Sequence, residues 1–72
     1  MELTDRIREL WSELLGVEVE ADDNFFTLGG YSILLIEMVV RAEQMGLEIA
    51  PEQVLEYPTP AGLATALARP RT

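Results

Sequence analysis

The sequence contains no cysteine, no histidine and no lysine. Without cysteine there is no disulfide framework, no thiolate nucleophile and no zinc–cysteine site. Without histidine or lysine, the usual general bases of a serine-nucleophile mechanism are missing. Carboxylates remain, but a self-contained hydrolase is not expected from them in 72 residues. Any reactive hydroxyl in this chain must be activated from outside. Long apolar runs are also lacking, and the N-terminus does not show the basic-then-apolar pattern of a signal peptide. No membrane association and a cytoplasmic setting are expected.

Positive charge is scarce. Thirteen acidic residues face five arginines, for a net charge of −8. Between Glu9 and Glu56 there are eleven acids, opposed only by Arg41. Such a surface repels phosphate backbones, which excludes nucleic-acid binding. It suits steering toward basic patches on partners, although solubility alone also accounts for it.

What is present is enough for one small folded unit. Apolar residues make up 49% of the chain, so it should fold and bury one modest core. With no covalent staple, stability must come from close helix packing. Leu3, Ile7, Leu10, Trp11, Leu14 and Leu15 recur at helical spacing and predict a first helix over 5–15. Thr4 is its expected N-cap, Gly16 its C′ residue, and Trp11 part of the core. A second helix is expected from Ser32 to Met45, stopped by Gly46, with Tyr31 and Ile36 placed for a hydrophobic staple. Its wheel carries two apolar faces. Leu34, Leu35, Met38, Val39, Ala42 and Met45 form the wide one. Ile33, Ile36 and Val40 form a narrow one near Ser32, which reads as a docking surface unless the bundle buries both sides.

Pro51 opens a short third helix ending near Tyr57 and contributing Val54 and Leu55 to the core. Pro58-Thr59-Pro60 reads as a break, an N-cap and a proline at N1, starting a fourth helix over 60–68. The expectation is an all-α four-helix bundle with three main helices and one short third helix. It occupies residues 1–68, with 69–72 as a tail or linker.

The long loop over 16–31 holds the most unusual stretch, Asp22-Asp23-Asn24-Phe25-Phe26-Thr27-Leu28-Gly29-Gly30-Tyr31-Ser32-Ile33, with Val17, Val19, Phe25, Phe26 and Leu28 able to pin it. As a calcium loop it fails, because the sixth and twelfth positions are Thr27 and Ile33, not Gly and Glu. No metal ligand set is expected. Ser32 is a favoured type for an N-cap, and a helix start there could also display the hydroxyl for attachment of an anion. Taken alone, G-G-x-S does not decide between those two.

The whole stretch resembles the core motif of the peptidyl carrier, or thiolation, domains of non-ribosomal peptide synthetases. Glu56-Tyr57-Pro58-Thr59-Pro60-Ala61-Gly62-Leu63-Ala64 is similar to the motif that closes those domains, and the likeness spans nearly the whole chain. The resemblance implies that a phosphopantetheinyl transferase, using magnesium and coenzyme A, joins 4′-phosphopantetheine to Ser32, flanked by Gly30 and Tyr31. The arm's thiol would then carry aminoacyl or peptidyl thioesters among adenylation, condensation and thioesterase or tailoring domains, with the carrier a monomer and not itself an enzyme. Two positions depart from the pattern. Tyr31 stands where these domains often have His or Asp, and Leu55 stands where many have phenylalanine, read here as a core substitution. An acyl or aryl carrier of a polyketide or hybrid pathway is the alternative, and an unmodified helical scaffold a remote one.

Overall fold

In the computed structural model, which describes residues 2–69, the apolar spacing of the first segment becomes helix α1, Leu3–Leu15. Leu10 and Trp11 lie one turn after Ile7, and all three are buried. The helix starts earlier than Thr4 predicts: Glu2 is the N-cap, no side chain caps the end, and the Arg6 amide donates to the Glu2 carbonyl at 3.1 Å. Packing explains the difference, since Leu3 rests against the core and draws the extra residues into the helix with it. Gly16 ends the helix in the left-handed region, as expected.

Helix α2 runs Ser32–Gln44. Its end is a Schellman motif: Leu47 donates to the Ala42 carbonyl at 2.8 Å and Gly46 to that of Glu43 at 3.0 Å. The short α3, Pro51–Glu56, and α4, Pro60–Ala68, complete the chain, with no strand among the described residues. Thr59 caps α4 as expected, its Oγ1 accepting the Gly62 amide at 3.1 Å, with Pro60 at the first helical position. Helix α1 packs on α2 and α4, and α3 touches both α2 and α4. This is the expected four-helix architecture.

Trp11, Phe25, Met38, Val54 and Leu63 form the centre of one core that draws on all four helices and the long loop. The Trp11 indole N–H has no hydrogen-bond partner among the described residues. Val17, expected to help pin the loop, and Leu55, expected in the core, both face outward. Val17 is 42% exposed and Leu55 is 64% exposed. In a helix of only six residues one face reaches the core, and Val54 takes it, so its neighbour Leu55 points away. Leu55 is therefore not a core substitution.

Arg69, expected to begin the tail, lies with its guanidinium carbon 5.9 Å from the centre of the Tyr57 ring. Residues 70–72, the rest of that expected tail, lie outside the described residues. None of the helices described is long and apolar enough to cross a membrane.

Candidate functional site

The loop between α1 and α2 is held at both ends and in the middle. Arg8 Nε donates to the Val19 carbonyl at 2.9 Å, while its other nitrogens reach Asp5 at 3.2 Å and Glu20 at 3.6 Å. The Phe25 amide donates to the Pro58 carbonyl at 2.8 Å, and the Ala61 amide to that of Ala21 at 2.9 Å. Val19 and Phe25 are buried, and Phe26 and Leu28 pack at the margin of the core.

Asn24 then folds the chain into one tight turn. Its Oδ1 accepts the amides of Phe26 at 2.9 Å and Thr27 at 3.2 Å, while its carbonyl accepts that of Leu28 at 3.1 Å. Gly29 leaves the turn at φ 101°, a conformation that L side chains resist. Gly30, which is buried, donates to the Phe25 carbonyl at 2.9 Å, and Tyr31 donates back to Gly29 at 3.0 Å. The chain reaches α2 extended, with Tyr31 at φ −88° and ψ 179°.

Tyr31, not Ser32, is thus the N-cap residue, and no side chain caps α2. Ser32 is already the first helical residue and is exposed. The staple between Tyr31 and Ile36 is not formed either: moving the cap by one residue puts Leu35 at N4, where it is buried, and leaves Tyr31 74% and Ile36 61% exposed. Among the described residues the Ser32 hydroxyl makes no hydrogen bond. The other serine, Ser12, donates its hydroxyl to the Val17 carbonyl at 2.6 Å.

The first α-helical bond of α2 runs from the Leu35 amide to the Tyr31 carbonyl at 2.8 Å. The amides of Ser32, Ile33 and Leu34 precede it and have no intrahelical acceptor. No acidic residue stands in that first turn. Free donors, the positive end of the helix dipole and no nearby helix carboxylate suit an anion carried on Ser32. The residues present therefore fit a phosphodiester at this hydroxyl.

The two faces of α2 separate as the wheel predicts except at Met45, assigned to the wide face, which falls at the C-cap beyond the last helical turn and is 38% exposed. Leu35, Met38 and Ala42 are buried, whereas Ile33, Ile36 and Val40 are 80%, 61% and 50% exposed. The bundle does not bury both sides. Sequence reasoning missed Asn24, whose turn signal was legible, and the Pro58 carbonyl, whose long-range bond leaves no trace in the pattern.

The family model described as a phosphopantetheine attachment site matches residues 5–67. The chain belongs to this family. Among curated proteins, a linear gramicidin synthase polypeptide of Brevibacillus parabrevis is 52% identical over 60 residues, covering 82% of this chain. The chain spans only 1% of that polypeptide's length. Among solved structures, a non-ribosomal PCP domain is 40% identical with a TM-score of 0.85, covering all of this chain and 94% of that one. The McyG A-PCP structure, complexed with phenylalanyl-adenylate, is 36% identical with a TM-score of 0.82, covering 94% of this chain and 11% of that one. The chain is a phosphopantetheine-carrying domain of the peptidyl carrier type found in non-ribosomal peptide synthetases. Carrier domains of this kind are generally non-catalytic.

Proposed function

We propose that Ser32 is the attachment point and that the domain shuttles aminoacyl or peptidyl groups between catalytic domains. The observation that carries the reading is the exposed, unbonded hydroxyl at the first position of α2, beside three free backbone amides. Among the described residues no side chain accepts a hydrogen bond from that hydroxyl, so the activating base belongs to a phosphopantetheinyl transferase, with its magnesium and coenzyme A. The Oγ–phosphorus bond forms as the pyrophosphate bond of coenzyme A breaks, and adenosine 3′,5′-bisphosphate leaves. When attached, the arm supplies a terminal thiol on which acyl groups ride as thioesters.

In this reading Gly30 and Tyr31 flank the site, and Ile33, Ile36 and Val40 give partners an apolar face to dock on. Those partners are the transferase and adenylation, condensation and thioesterase or tailoring domains. The carrier region is residues 1–68, followed by a tail or linker over 69–72. The domain acts as a cytoplasmic monomer and is a substrate of other enzymes, not an enzyme itself.

Incubation with a promiscuous phosphopantetheinyl transferase and coenzyme A, read by intact mass, tests the proposal. One pantetheine adduct on the wild type, and none on a Ser32→Ala variant with unchanged helical signal, is the expected result. A folded wild type that takes no adduct counts against it.

A further inference from the structure

Gly29 and Gly30 are glycines for different physical reasons. Gly29 needs its left-handed φ of 101°, and a Cβ there would meet open space. Gly30 is not among the positive-φ residues, and its constraint is room. A Cβ at position 30 would overlap the Phe25 ring, with Cζ at 2.7 Å and Cε2 and Cδ2 nearer still. A contact that close cannot persist, so one of the two must move.

Phe25 is poorly able to give way. Its ring is wholly buried and stands edge-on to Trp11 with centroids 4.8 Å apart. Its amide is bonded to Pro58, and its carbonyl receives the Gly30 amide. Position 30 is two residues from Ser32. We infer that Phe25 is a positioning residue for the modification of Ser32: its ring is the wall on which the bare Gly30 backbone rests, and that wall sets where the serine hydroxyl stands. The inference rests on Ser32 being the modified residue, as proposed above.

A methyl at position 30 displaces the segment over 30–32, while Ile36 and Val40, farther along α2, stay in place. A transferase therefore meets the same docking face and a misplaced hydroxyl. Loading kcat falls and KM does not. Phe25→Leu removes Cε2 and Cζ and replaces the rigid ring with a branched chain whose remaining Cδ2 can rotate clear of the methyl, so the pair of changes restores what the single one loses.

The test compares wild type, Gly30→Ala, Phe25→Leu and the double variant as full chains. Initial loading rates with transferase and coenzyme A are read by intact mass over a series of carrier concentrations, and thermal melts are recorded alongside. In Gly30→Ala, kcat should fall about tenfold or more with KM within about twofold of wild type. The double variant should load faster than Gly30→Ala without melting higher, which a purely structural role does not produce. Wild-type kcat in a folded Gly30→Ala, or no recovery in a folded double variant, overturns the inference. Should Gly30→Ala not fold, Phe25→Leu alone decides. A lower kcat at constant KM, with faster hydrogen exchange at the Gly30 amide, supports the wall, and an unchanged kcat removes it. A wild type that takes no adduct overturns the Ser32 reading and this inference with it, whereas a loaded wild type with an indifferent Gly30→Ala overturns the wall alone.

Discussion

The Phe25 amide and the Pro58 carbonyl are bonded at 2.8 Å, which makes one structural unit of two stretches well separated in the chain. The loop that presents Ser32 is thereby tied to the joint between α3 and α4. Phe25 also places its ring against Trp11, at the middle of the core. One residue thus serves packing and presentation together.

Phe25→Ala should cost about 3–5 kcal/mol, the range for truncating a buried aromatic. A domain of this size holds only about 4–11 kcal/mol in all, so the variant is expected to be marginal or unfolded at room temperature. Urea denaturation followed by circular dichroism measures it. A loss below about 1 kcal/mol would mean that the loop does not depend on this anchor.

Ile36→Asp and Met38→Asp should behave oppositely although they stand two residues apart. Ile36 is largely exposed, and its replacement should cost under about 1 kcal/mol while weakening productive contact with partner domains. Met38 is wholly buried, and a carboxylate there costs several kcal/mol, enough to unfold the domain. Thermal melts and partner-dependent loading of the two variants separate these effects. If Ile36→Asp melts like Met38→Asp, the docking face has been placed wrongly.

Much of this was legible in the sequence, and the failures share a cause. The two faces of α2 and the break at Pro58-Thr59-Pro60 follow from local pattern, because helical period and proline geometry act within a few residues. The starts of α1 and α2 do not. Thr4 and Ser32 are both good capping types, yet Leu3 extends one helix to bury itself, and the Gly29–Gly30 turn hands the other its cap at Tyr31. Leu55 fails similarly: apolar character predicts the core, but a six-residue helix has one inward face and Val54 occupies it. In each case tertiary geometry outweighed a local preference, worth about 1 kcal/mol for the two caps.

Thr59→Ala removes the side-chain oxygen that accepts the Gly62 amide and should destabilise the domain by about 1 kcal/mol. Thr59→Ser keeps the acceptor and should recover most of the loss. Although this cap lies next to Pro58, the Phe25–Pro58 bond runs between backbone atoms and does not involve the Thr59 side chain, so loading of Ser32 in the Ala variant should persist as long as the protein is folded. Chemical denaturation of the three proteins checks the order, and equal stability of Ala and Ser variants would show the cap to be idle.

Peptide-level mass spectrometry of the chain after transferase treatment with coenzyme A tests the central claim most directly, because it locates the adduct. The account predicts a single phosphopantetheine on Ser32, with the Ser12 peptide unmodified and no adduct in Ser32→Ala. An adduct on any other residue, or none on folded wild-type protein, would contradict it.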